Sequence, residues 1–81
     1  MEEIEGVVVD VMETWPLQLT VISAETHYHI LLTMDTLTYL NGDAQFDYPF
    51  QRQERVHIIG QRFDNNLIVA QTIKVLKNSI G

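Results

Sequence analysis

The 81-residue chain contains no cysteine, so neither a disulfide nor a thiolate zinc site can hold it together. Only two serines occur, Ser23 and Ser79, and neither stands in a nucleophile turn, which leaves nucleophilic catalysis without a candidate. No glycine-rich phosphate cradle is present, and no pair of carboxylates is singled out by its spacing. The expectation is therefore a protein that is not an enzyme and that uses no cofactor. Basic residues are also scarce: five Lys and Arg stand against 11 Asp and Glu, giving a formal net charge of −6. A field of that sign repels polyanions at long range, which weighs against duplex DNA.

Long hydrophobic runs are missing as well. No stretch of about 18 apolar residues is available to span a bilayer, and Met1-Glu2-Glu3-Ile4-Glu5 is acidic where a secretory leader would be basic. A cytoplasmic protein with no membrane partner is expected. With 46% apolar residues and no covalent staple, the chain has to bury one hydrophobic core, so residues 1–81 read as one domain.

What is present is strand patterning. Five runs carry it: Ile4 to Met12, Leu17 to Ser23, His27 to Thr33, Glu54 to Arg62 and Leu67 to Leu76, followed by a tail over 77–81. In the first run Val7, Val9 and Val11 alternate with Gly6, Val8 and Asp10, and the β-branched content favours a strand. Val7 and Val9 are expected to point inward, and Gly6 is a candidate bend or bulge in this long first strand. Glu13-Thr14-Trp15-Pro16 breaks the pattern as a loop, and Leu17, Leu19 and Val21 then alternate with Gln18, Thr20 and Ile22. Ser23-Ala24-Glu25-Thr26 is a short hairpin connection. In the third run Tyr28, Ile30 and Leu32 point inward, leaving His27, His29 and Leu31 outward.

The stretch from Met34 to Phe50 is the least strand-like. Asp35 is placed to cap a short helix, Leu37 and Leu40 lie three apart, and Gly42 sits where a helix ends, which predicts one to two helical turns. Val56 and Ile58 alternate with Arg55, His57 and Ile59 in the fourth run, and Phe63-Asp64-Asn65-Asn66 is a turn. The fifth run changes phase near Gln71, as at a bulge. The expected core is Val7, Val9, Leu19, Val21, Ile30, Ile58 and Ile73.

Five strands interrupted only between the third and fourth, with the closing pattern Val56-His57-Ile58-Ile59-Gly60, Leu67, Ala70, Ile73 and Val75 and a valine-rich first strand carrying Gly6, resemble an OB-fold domain. The resemblance covers roughly Ile4 to Leu76 and implies an all-β, five-stranded barrel with a short helix between the third and fourth strands. An SH3-like barrel is the rival, and the long third-to-fourth connection favours the OB reading. The resemblance further implies a ligand face on the second and third strands, between the first and last loops. Its rim would be Trp15, Arg62, Phe63, Asn65 and Asn66, and its floor Gln18, Thr20, Ile22, His27, His29 and Leu31.

Two readings compete at the rim. Trp15 and Phe63 can stack bases while Arg62 meets a phosphate, or they can fold over the barrel ends as apolar caps; Glu13 and Asp64 beside them discourage a phosphate. His27 and His29 share a strand face, yet His57 lies on a strand separated from theirs, so no metal site is expected. Of Phe46, Tyr48 and Phe50, one or two are expected to fasten the long connection to the barrel; the competing reading is an aromatic edge presented to a partner. With Val8, Ile22 and Leu31 taken as outward, the chain reads as a non-enzymatic module that binds another protein, a second copy included. Single-stranded nucleic-acid binding is the alternative, and small-molecule or metal binding a third.

Overall fold

Seven strands succeed one another in a computed structural model that describes residues 1–76; the expected tail over 77–81 lies outside these. They are β1 (Glu2–Met12), β2 (Gln18–Ser23), β3 (Thr26–Leu31), β4 (Leu37–Leu40), β5 (Asp43–Gln45), β6 (Arg55–Asp64) and β7 (Leu67–Leu76). β1 pairs antiparallel with β2 on one side and β6 on the other. β2 pairs with β3, and β6 with β7. The ring closes where β7 meets β3 in parallel, from His29 opposite Leu67 to Leu31 opposite Val69. The result is an all-β, closed barrel of five strands, with connectivity consistent with an OB-like barrel.

The expected helix between the third and fourth long strands is not formed. Leu37-Thr38-Tyr39-Leu40 extends as β4 and runs parallel to the far half of β7, from Leu37 opposite Thr72 to Leu40 opposite Val75. Asn41 (φ 53°) and Gly42 (φ 85°) then turn the chain back into β5. Two consecutive positive φ values mark a primed hairpin turn, for which Asn-Gly is the preferred pair. A helix of one or two turns would be marginal in water, whereas the edge of β7 offers β4 a full set of backbone partners.

Strand β7 serves both neighbours by kinking. Gly60 faces Ala70 and Ile59 faces Thr72, so Gln71 is the extra residue of a bulge, at the phase change expected there. A second irregularity leaves Phe63 unpaired between Arg62 and Asp64.

The expected inward side of β1 is corrected. Val8 is fully buried, while Val7 and Val9 are only half-buried. Val8 faces Val21 but Asp10 faces Thr20, so Val9 is an inserted residue. Before it, Ile4, Gly6 and Val8 point inward; after it, Val11 does. Gly6 supplies clearance instead of a bend: a Cβ there would run into the carbonyl oxygen of Ile22 and come within 2.8 Å of the Val21 side chain. Leu19, Val21, Ile30, Ile58 and Ile73 are buried as expected, joined by Val8, Val56, Ile68, Ala70 and Val75. Each large member contributes about 1.5–3 kcal/mol of apolar burial. Among the described residues no helix is long and apolar enough to cross a membrane.

Candidate functional site

At the end of the barrel where β1 stops, the β1–β2 loop meets the connection from β5 to β6. Phe50 plugs this end and is buried against the core. Tyr48 packs edge-to-face on it, with ring centroids 4.9 Å apart at 78°. The Tyr48 hydroxyl donates to the Glu54 carboxylate, which also accepts from the Gln51 amide at 2.6 Å. Burial, then the bond to Glu54, pushes the Tyr48 pKa up to about 12. Two backbone bonds tie the connection to β1: Gln53 N–H donates to the Val8 carbonyl at 2.6 Å, and Val8 N–H to that of Glu54 at 2.8 Å.

Around this plug the surface is apolar and open. Trp15, 71% exposed, stands between two clefts of about 340 and 390 Å³ that share Leu17, Asp47, Tyr48 and Phe50 as walls. Met34 and Phe46 line the first cleft at 87% and 90% exposure. Glu13, Val11 and Pro49 line the second. Single exposed apolar residues are ordinary, but three large ones around one concavity form a patch of the kind that interaction sites use.

The expected floor residues do share one outward face. Gln18 faces Leu31, Thr20 faces His29 and Ile22 faces His27. Asn65 and Asn66 form the β6–β7 turn, and the His29 amide donates to the Asn66 carbonyl at 2.8 Å. Phe63 is 63% exposed in its bulge. The rim residues lie on two connections, as the two-loop rim requires. Arg62 bonds to Glu2 at 3.2 Å and to the Asn65 carbonyl at 2.7 Å, at the start of β1, whereas Trp15 follows the end of that strand. Arg62 is thus already engaged by a carboxylate and a carbonyl, and Trp15 sits on a separate loop, between β1 and β2. Arg52 and Arg55 likewise face Asp10 and Glu5.

His27 and His29 are exposed, and His57 Nε2 lies 2.7 Å from Glu3 Oε1 on the β1–β6 side. Among the described residues no three His, Asp or Glu side chains gather to hold a metal ion. Of the three aromatics in the long connection, two anchor it, Phe50 and Tyr48, and Phe46 is exposed. Met34 and Phe46 escaped the sequence-based choice of site. The alternation Phe46-Tyr48-Phe50 held the signal for Phe46, since a connection needs only part of it for anchorage. Compared with protein-family models and with curated proteins, the chain shows no match to either.

Proposed function

We propose that this protein is a small OB-like barrel that acts as a non-enzymatic protein-binding module, with the cleft beside Trp15 as its docking site. One observation carries the reading: Trp15, Met34 and Phe46 are held open around a single cleft whose base is fixed by Phe50. Aromatic anchors in well-formed pockets supply most of the energy of protein recognition. The strand order, with its parallel β3–β7 contact, supports the OB reading of the barrel. A second copy is a poor partner, because two molecules of charge −6 repel each other. Single-stranded nucleic acid is the weaker alternative: Trp15 could stack a base, but three arginines already face carboxylates.

Trp15 is the sole tryptophan, so its fluorescence reports occupancy directly. A displayed random-peptide library panned on the protein should yield peptides that shift this emission. Trp15→Ala should remain folded by far-UV circular dichroism and lose them. Ile22→Glu and Leu31→Glu, on the outward β2–β3 face, should bind them normally. Emission changes produced by oligonucleotides alone, with steep salt dependence, would overturn the reading.

A further inference from the structure

We infer that the segment bound beside Trp15 is a short basic peptide, which seats one large apolar side chain in the cleft and lays Lys or Arg residues along Asp47 and Glu13. The inference rests on the docking site proposed above and adds the chemistry of its occupant.

Three observations carry it. Among the described residues, the side chains lining the two clefts include Asp47 and Glu13 but no Lys, Arg or His. Asp47 lines both clefts, so it stands at their junction. Among the described residues, neither Asp47 nor Glu13 has a cation within ion-pair distance, whereas Glu2, Glu3, Glu5 and Asp10 each face Arg or His. The carboxylates at the clefts are therefore available to a ligand. An exposed indole face adds attraction for Lys or Arg, and the net charge of −6 steers cationic segments toward the molecule.

The test uses three fluorescein-labelled peptides: one leucine between paired arginines, the same peptide with glutamine for every arginine, and the same with alanine for leucine. Anisotropy and Trp15 emission are read together, with a single-stranded oligonucleotide as a fourth probe. The arginine–leucine peptide should bind and shift Trp15 emission, more weakly as salt rises. Glutamine replacement should weaken it about tenfold, and the leucine-to-alanine change should weaken it too. Asp47→Asn and Glu13→Gln should each cost about threefold. Asparagine tolerates the left-handed backbone of Asp47 (φ 55°), so that variant should stay folded.

Equal shifts of Trp15 emission by the arginine and glutamine peptides would overturn the basic-peptide inference and leave the docking site standing. If no peptide moves Trp15 but the oligonucleotide does, both the inference and the docking reading fall.

Discussion

The Arg62 guanidinium lies 5.6 Å from the centre of the Tyr28 ring while its Nε holds Glu2 at 3.2 Å, so one side chain joins β6 to both β3 and β1. A cation over an aromatic face and a carboxylate on the same cation reinforce each other. Arg62→Gln should lower the thermal midpoint, by less at high salt. Single-stranded oligonucleotide affinity should be weak at physiological salt in wild type and unchanged in this variant, as anisotropy would show. A large affinity loss would mean that Arg62 contacts phosphate.

Because Val9 is the inserted residue of the β1 bulge and Val8 is fully enclosed, neighbouring valines should differ in value. Val8→Ala should cost about 2 kcal/mol and Ile58→Ala about 2–5 kcal/mol in denaturant unfolding. Val9→Ala should cost clearly less than Val8→Ala. The reverse order would place the bulge elsewhere.

Gly6→Ala is the smallest change with a large expected effect. The added methyl would meet the Ile22 carbonyl oxygen, a backbone atom that cannot rotate away. A loss of about 3 kcal/mol is expected, visible as a shifted urea midpoint. Wild-type stability in this variant would mean that β1 and β2 do not approach as closely as they do here.

The Tyr48 hydroxyl links the plug to alkaline stability. Its pKa rises from 10.0 to about 12, first by burial and then by the bond to Glu54. Between these values the unfolded chain has released the proton and the native protein has not, so stability falls as pH rises through that window. Below pH 10 the contribution is complete. Tyr48→Phe should be less stable than wild type below pH 10, and the gap should narrow from pH 10 to about 12. Parallel curves would show that the hydroxyl is solvated.

The faces of β2, β3 and β6 were legible because polar residues mark them: Gln18 and Thr20, His27 and His29, Arg55 and His57. Val7-Val8-Val9 carries no such mark, and a bulge inside it switches phase, so local alternation chose the wrong side. Over residues 37–45 the spacing of Leu37 and Leu40 competed with the Asn41-Gly42 hairpin pair. The outcome depended on the edge of β7, which lies 35 residues away and leaves no local trace. Trp15 stood out as an aromatic before proline in a loop. Its grouping with Met34 and Phe46 depends on three connections meeting at one barrel end, which no local pattern encodes.

Strand β7 is hydrogen-bonded to β6, β3 and β4, yet it is the last of the seven to be synthesised. Without β7, the β1–β2–β3 meander and β6 leave β3 with an open edge at His29–Leu31 and β4 with no neighbour beyond β5. Val21 and Ile30 then line a sheet with no opposite wall. Closure of the barrel therefore depends on the last strand in the sequence, through pairings distant along the chain. A chain without β7 would present an apolar face and an unpaired edge, the two features that aggregation exploits.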